Sequence, residues 1–270
     1  MSNKINTMAA LFSSIFYIFN AVALAGWTSV LYALITQDYE CSFLPSENVT
    51  MLPLLMFLEG ICIMEVMRIL FGALAGNRTL GVVLHFIRIT NVVFVLPRSK
   101  YCGGGGDADD ESDDNNGWLS IDTLALMVLY SWAITEVSRY PMYLFSTASS
   151  SSSPSKEPSF LSKAARFVRM TVPLVTFPLG AFAEAYAAYL TLFVVEDGQE
   201  TNSDGSTTTM SWENQLFLRN SLLMAVVFIN GILGPTMAYP ALLKKGIPVL
   251  LGRKQQAKSG DKKKADKKFV

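Results

Sequence analysis

A single carboxyl group lies in one of the most apolar stretches of the chain. Glu184 is the one charged residue in VTFPLGAFAEAYAAYL, residues 175–190, and no basic residue lies within four positions of it. A charged group exposed to hydrocarbon is costly, so an acid in such a segment indicates a function. A carboxyl group beside a substrate can accept or donate a proton as a general base or acid. Glu184 is therefore the leading candidate for a catalytic residue.

The spacing around Glu184 predicts which residues share its surface. In a helix, Phe177, Gly180 and Glu184 lie on one face. Gly180 removes bulk one turn before the acid. Pro173 and Pro178 each remove a backbone donor and predict a kinked helix. The pattern is typical of a helix that is open beside Glu184 to admit another molecule.

Other ionisable residues also occur inside apolar segments, where acids and bases are nearly balanced in number. We expect them to face one another around a polar interior, because lipid-facing charges are costly. Glu59 and Arg68 could instead extend toward the membrane surface from the span ends, and His85 is favoured as a packing residue. Glu65 and Arg88 could form a structural ion pair. The full set is Glu59, Glu65, Arg68, His85, Arg88, Glu136 and Arg139.

One motif points to a different chemistry, which we reject. Cys62 and Arg68 fit C-x5-R, the phosphatase signature, but that chemistry needs a loop whose backbone N–H groups hold phosphate. The intervening residues, IMEVM, are typical of an apolar helix, in which these N–H groups are already bonded. No metal-ligand spacing or nucleotide-binding motif is present. We therefore expect no metal, no cofactor and no nucleic acid partner.

Six long apolar segments predict an all-α integral membrane protein. Spanning a bilayer takes about 20 apolar residues, and 51% of the chain is hydrophobic. We expect one bundle of six transmembrane helices within a domain at 1–252. A cleaved signal peptide is the alternative for the first segment, but that segment is long and lacks a clear cleavage site. The six segments are 9–36, 51–75, 79–97, 118–147, 170–195 and 214–243.

The charges of the loops alternate in sign and predict the topology. Loops 37–50 and 196–212 are acidic without a base, whereas 156–169 and the segment after 243 are basic. Lys and Arg near span ends stay in the cytosol, so both termini are expected there. Arg98 and Lys100 do not fit this pattern.

Low-complexity segments predict flexible loops at about 101–117 and 146–160 and a basic cytosolic tail at 253–270. The tail ends in KKFV, with Lys267 and Lys268 at the spacing of a dilysine retrieval signal of the endoplasmic reticulum. The alternative is a basic tail that contacts anionic lipid. We expect a multi-pass protein of the endoplasmic reticulum membrane.

Five segments resemble those of a known family, the very-long-chain 3-hydroxyacyl-CoA dehydratases, also called protein tyrosine phosphatase-like membrane proteins. The most specific is SWAITEVSRYPMYLF (131–145), which is similar to the family's Trp-Ser-x-Thr-Glu-x-x-Arg-Tyr-x-x-Tyr block. The others are FYIFNAVALAGW (16–27), MEVMRILFG (64–72), RMTVPLVTFPLGAFAE (169–184) and GPTMAYP (234–240).

The resemblance implies a reaction and a departure from its usual catalytic residues. The family removes water from a 3-hydroxyacyl-CoA to give the trans-2-enoyl-CoA, the third step of fatty-acid elongation in the endoplasmic reticulum. Its catalytic pair is a Tyr and the Glu seven residues later, which correspond to Phe177 and Glu184. Phe177 has no hydroxyl, so Tyr140 or Tyr143 is the candidate replacement. A second departure is Arg68, where the family usually has His.

The same resemblance gives candidate substrate-binding residues. We expect Arg139 and Arg169, near the cytosolic ends of their spans, to bind the phosphates of CoA. The other candidates are Arg88, Glu65, Glu136 and Gly180. Expected partners are the 3-hydroxyacyl-CoA substrate, membrane lipid and other elongation enzymes.

Two further functions remain open at the level of sequence. Phe177 and Arg68 favour a non-catalytic relative that acts as a scaffold or acyl-CoA binder in the endoplasmic reticulum. The retained acids Glu65, Glu136 and Glu184 favour the enzyme, because a scaffold needs no buried acids. A small transporter is the third reading, but the sequence lacks the internal repeat that transporters usually show.

Overall fold

A computed structural model describes residues 2–37, 51–71, 78–102, 119–149, 160–193 and 212–251. In these ranges every regular element is a helix, as the sequence predicts. The helices are α1 (Ser2–Thr36), α2 (Met51–Leu70), α3 (Arg78–Phe94), α4 (Ile121–Ser149), α5 (Phe160–Thr171), α6 (Pro173–Leu192), α7 (Trp212–Phe228) and α8 (Tyr239–Leu250), with a π-helical segment at Ile229–Ala238 and short 3-10 turns at Leu96–Arg98 and Lys100–Cys102.

Four stretches of the described chain are long and apolar enough to cross a membrane, whereas the sequence predicted six. The other two predicted segments, 51–75 and 170–195, contain α2 and α6, helices of 20 residues that are not among these four stretches. Three charged residues interrupt α2, and α6 contains Glu184 among small residues. The four stretches are Ser14–Thr36, Arg78–Arg98, Ile121–Phe145 and Asn214–Leu250.

In the described chain many large apolar side chains are exposed, whereas several charged side chains are buried. Phe57, Phe193 and Phe217 are more than half exposed, whereas Glu59 and Glu136 are almost completely buried. A contiguous apolar surface of this kind is expected where a protein contacts lipid or another protein. The charged residues are therefore interior groups, as the sequence predicts.

Helix α4 forms the centre of the bundle and positions the polar interior. Its longest interfaces are with α6 and α1, and it also packs against α5. Its buried residues Leu124, Leu129 and Trp132 belong to the same core as Trp27 and Leu34 of α1. Because two flanking helices fix α4, its polar residues are held at defined positions.

Two prolines shape the chain around the candidate site. Pro173 is the first residue of α6 and follows the end of α5 at Thr171 by a single residue. That residue, Val172, keeps helical dihedral angles and its N–H bonds to the Val168 carbonyl, so the helical path is interrupted only at the proline. Proline fits the first turn of a helix because the N–H groups there have no intrahelical partner. Pro178 lies inside α6.

The connection from α7 to α8 is the one element of the site that the sequence did not predict. Residues Ile229–Ala238 form a π-helix with Pro235 inside it. A π-helix bonds from i to i+5 and is wider than an α-helix. The helix thus continues past a proline and two glycines without a break, and the wider turns change which side chains face the interior.

Several predictions concern parts of the chain outside the described residues. They are most of the two predicted loops (about 101–117 and 146–160), the tail at 253–270 and the terminal KKFV. The described chain does contain the ends of both loops: the second 3-10 turn, the last turn of α4 and the first residue of α5.

Candidate functional site

A cavity of about 240 Å³ lies between α3, α4, α6 and the chain that runs from the π-helix into α8. We call it the inner cavity. The face of α6 that the residue spacing predicts lines this cavity. Three charged residues that were predicted to lie in the interior, Arg88, Glu136 and Arg139, line it as well. The predicted site residues in its wall are Phe177, Gly180, Glu184, Arg88, Glu136 and Arg139.

Glu184 is buried in the wall of the inner cavity and accepts hydrogen bonds from two other helices. Trp132 of α4 donates its indole N–H to Oε1. Asn230, at the start of the π-helix, donates a side-chain N–H to Oε2. Each carboxylate oxygen has two lone pairs, so each retains an acceptor site for a substrate.

Gly180 allows α4 and α6 to approach closely beside Glu184. A Cβ atom at position 180 would overlap Ser131 Oγ and would lie 3.0 Å from Ser131 Cβ. Ser131 in turn donates to the carbonyl of Thr176, at 2.7 Å. The glycine is therefore required by the contact between the helices, as well as by the cavity.

Phe177 lies between the inner cavity and a second space, which we call the outer chamber. The outer chamber has a volume of about 370 Å³ and a largely apolar wall that includes Leu80, Leu233 and Met237. Thr79 and Lys245 are at its edge. Phe177 and Asn230 line both spaces, so the outer chamber and the inner cavity adjoin at these two residues.

Arg88 is the centre of a buried ion-pair network beside the inner cavity. Its Nη1 is 3.1 Å from Glu59 Oε1 and 2.7 Å from Glu136 Oε1. Glu59 Oε2 also lies 3.0 Å from His85 Nδ1, within hydrogen-bond distance. The guanidinium carbon of Arg88 is 5.1 Å from the ring centroid of Trp132. Glu59 is thus an interior residue, and the network extends to the tryptophan that holds Glu184.

Arg139 extends the same network away from Glu184. Its Nη2 is 2.7 Å from Glu136 Oε2 and 2.9 Å from Glu65 Oε2. The pair of Glu65 with Arg88 that the sequence suggested is therefore wrong, because each has a different partner. Two carboxylates already neutralise Arg139, which makes it a weaker candidate for binding phosphate.

Tyr140 and Tyr143, the predicted replacement hydroxyls, do not line the inner cavity. Tyr140 faces α2, where its hydroxyl is 3.3 Å from Cys62 Sγ. Tyr143 faces α5 and accepts a hydrogen bond from Arg169, at 3.2 Å. Glu65 and Tyr140 line a separate, small cavity. The structure thus separates Tyr140, Tyr143, Arg169 and Glu65 from the surroundings of Glu184.

The hydroxyl groups that line the inner cavity come from Ser131 and Thr135. The Ser131 hydroxyl is bonded to a backbone carbonyl. Thr135 Oγ1 is 2.7 Å from Thr176 Oγ1. Sequence reasoning missed Thr135 and Trp132 although both are in the quoted block at 131–145. It also missed Asn230, whose signal is a lone amide in an apolar run.

The geometry around Cys62 supports the rejection of phosphatase chemistry. Cys62 lies within α2 and is completely buried. The Arg68 guanidinium is 3.7 Å from the ring centroid of Phe16, and Cys62 Sγ contacts Tyr140 and Arg139 instead. A thiol inside a helix has no loop of free N–H groups around it.

Comparison with protein families shows which family the chain belongs to. A family model described as protein tyrosine phosphatase-like protein, PTPLA, matches residues 59–245, more than half of the chain. This range contains every residue that lines the inner cavity. No curated protein and no solved structure matches the chain. The chain belongs to the PTPLA family, which is the family of very-long-chain 3-hydroxyacyl-CoA dehydratases.

Proposed function

We propose that this protein dehydrates a very-long-chain 3-hydroxyacyl-CoA to the trans-2-enoyl-CoA, the third step of fatty-acid elongation. The observation that carries the proposal is Glu184, a buried carboxyl group with two N–H donors, in the wall of a cavity. A cavity with a few convergent polar groups is the usual form of a small-molecule site. The family membership supports the proposed class of substrate.

The reaction needs one proton to be moved, and a single carboxylate is sufficient for it. Glu184 takes the proton from C2, and the electron pair of that bond forms the C2–C3 double bond. The C3–O bond breaks, and the leaving oxygen takes the proton from Glu184 to depart as water. The carboxylate is regenerated, so the missing hydroxyl at Phe177 lowers the rate without removing the reaction.

Thr135 is our candidate for a contact with the leaving hydroxyl. It lines the inner cavity, whereas Tyr140 and Tyr143 do not. A threonine hydroxyl is a poor acid at neutral pH, but as a hydrogen-bond partner it can orient the substrate oxygen. This role differs from that of the family's tyrosine, which the resemblance assigns to proton transfer.

The outer chamber is our candidate route for the CoA part of the substrate. Thr79 lies near the start of α3 and Lys245 near the end of α8. In the proposed topology of six spans with cytosolic termini, both helix ends are on the cytosolic side. Lys245 there can bind a phosphate of CoA, while the arm between phosphate and thioester occupies the chamber. Arg169, which contacts Tyr143, remains a second phosphate candidate.

The location that fits this function is the endoplasmic reticulum membrane. The family's reaction belongs there, and Lys267 and Lys268 match a dilysine retrieval signal. Replacing both lysines with Ser should let a tagged protein move forward in the secretory pathway. An unchanged distribution by fluorescence microscopy would count against this signal.

A second function follows from Phe177. Because an aromatic ring replaces a catalytic hydroxyl at the cavity, the protein could bind acyl-CoA as a scaffold without turning it over. Purified protein in detergent separates the two functions when 3-hydroxyacyl-CoA is added and the enoyl product is followed by mass spectrometry. We expect product. Binding of acyl-CoA by folded protein without any product would overturn the dehydratase and leave the scaffold.

A further inference from the structure

Asn230 is a buried amide whose hydrogen bond crosses from one helix to the reactive group of another. It is 5% exposed, its acceptor Glu184 is 8% exposed, and Trp132, the second donor to Glu184, is 2% exposed. Asn230 and Trp132 donate to different oxygens of the same carboxylate. A carboxylate bonded at both oxygens from two separate helices cannot rotate without losing one of these bonds.

A second buried asparagine shows what a structural role looks like in this fold. Asn91 of α3 is completely buried, and its Nδ2 donates to the carbonyl of Ile87 in its own helix, at 3.0 Å. Its bond is local and touches no ionisable group. Asn230, by contrast, bonds across the helix interface to Glu184 and also lines both the inner cavity and the outer chamber.

Asn230 lies at the start of the π-helix. The segment begins at Ile229, one residue before Asn230, and ends at Ala238. The wider turn changes the angular position of side chains relative to the preceding α-helix. Single π-turns occur frequently at functional sites. Here the change in helix type coincides with the residue that contacts the acid.

We propose that Asn230 is a positioning residue for proton transfer by Glu184, acting together with Trp132. The inference rests on the proposed function, because it assigns Asn230 to the same reaction. Asn230 and Trp132 fix the plane of the carboxylate, so that its remaining lone pairs meet the C2–H bond of a substrate in the inner cavity. Small misplacements of a reacting group lower the reaction rate strongly, since a shift of about 1 Å can reduce it by about 100-fold.

The test compares Asn230→Ala with Asn91→Ala, which removes a buried amide of the same kind away from the cavity. We expect Asn230→Ala to lower kcat by about 10- to 100-fold with KM within about threefold of wild type. Asn91→Ala should leave kcat within about threefold. Asn230→Leu keeps a similar volume but removes the N–H donor without adding a second carboxyl group, so it should lose as much activity as the alanine variant.

Infrared spectroscopy gives a readout that does not depend on turnover. The absorption of the Glu184 carboxyl group, assigned by its loss in Glu184→Gln, should shift in Asn230→Ala and in Trp132→Phe. It should stay unchanged in Asn91→Ala. The variants are compared as purified proteins in detergent, with thermal unfolding as a check that each is folded.

The outcomes separate the inference from the proposed function. If the wild type is inactive but the Glu184 band shifts in Asn230→Ala, the contact is supported and the dehydratase is not. If the wild type is active, and Asn230→Ala and Asn230→Leu retain its kcat and its Glu184 band, the positioning role is overturned. If Asn230→Ala does not fold, Asn230→Leu, which is similar in volume to the wild-type residue, is tested by the same two measurements.

Discussion

Phe177 and Glu184 line the same cavity from positions two turns apart on α6, with Gly180 between them. The spacing of seven residues corresponds to about 10 Å along the helix axis. A substrate between the two side chains can therefore contact both. The ring at 177 fills space without a proton donor, at the position where the sequence resemblance implies the family's catalytic tyrosine.

Restoring the hydroxyl should increase the activity. We predict that Phe177→Tyr raises kcat by at least about tenfold, because a positioned acid–base group contributes about 10²- to 10⁴-fold. The measurement is the initial rate of enoyl-CoA formation. Phe182→Tyr is the control, since Phe182 lies on the same helix but is mostly exposed on the outside. Equal rates for wild type and Phe177→Tyr would mean that proton transfer already has a sufficient partner.

Removing the hydroxyl group of Thr135 from the inner cavity should lower the dehydratase activity. Thr135→Val keeps the branched shape and deletes one hydrogen-bonding group, so we expect kcat/KM to fall by about 5- to 10-fold. The matched control is Thr90→Val, because Thr90 is buried but bonds to Phe86 of its own helix, at 2.9 Å. The two variants are compared at saturating and limiting substrate. If Thr135→Val and Thr90→Val change kcat/KM by the same factor, Thr135 has no specific role in binding the substrate hydroxyl.

Lys245 should affect binding of the CoA portion. Lys245→Gln removes the cation at the edge of the outer chamber, and we expect KM for acyl-CoA to rise by up to about fivefold, or about 1 kcal/mol. Lys244→Gln removes the neighbouring exposed cation, which does not line the chamber. High salt should reduce the difference between wild type and Lys245→Gln. A larger effect at Lys244 would place the phosphates elsewhere.

The close contact between Gly180 and Ser131 should make the Gly180→Ala variant less stable than the wild type. Gly180→Ala forces a Cβ atom against Ser131, and overpacking of this kind costs about 1–3 kcal/mol. Gly60→Ala is the control, because a Cβ at position 60 meets no atom within 4 Å. Alanine should even favour that helix by up to about 1 kcal/mol. Thermal unfolding of both variants in detergent tests this, and equal midpoints would contradict the close approach of α4 and α6.

Part of the fold and site follows directly from local sequence patterns. Apolar segments predict the main helices, and a period of 3.6 residues predicts that Phe177, Gly180 and Glu184 share a face. Charges inside apolar segments predict a polar interior, where the structure places Arg88 and Glu136. All of these inferences depend on residues that are close together in the chain.

The remainder depends on which helices become neighbours. Glu65 and Glu59 are both plausible partners for Arg88, and the packing of α2 against α3 selects Glu59. Tyr140 belongs to the best-matching motif, but the rotation of α4 turns it toward Cys62. Asn230 is 46 positions from Glu184, and a local pattern cannot bring such residues together.

The central claim is that the carboxyl group of Glu184 performs the proton transfer. The most direct measurement compares purified wild type with Glu184→Gln for conversion of a very-long-chain 3-hydroxyacyl-CoA to the trans-2-enoyl-CoA, by mass spectrometry. The substitution preserves size and removes the titrating group, so we predict a loss of at least about 100-fold with unchanged folding and acyl-CoA binding. Turnover by Glu184→Gln at the wild-type rate would contradict the claim.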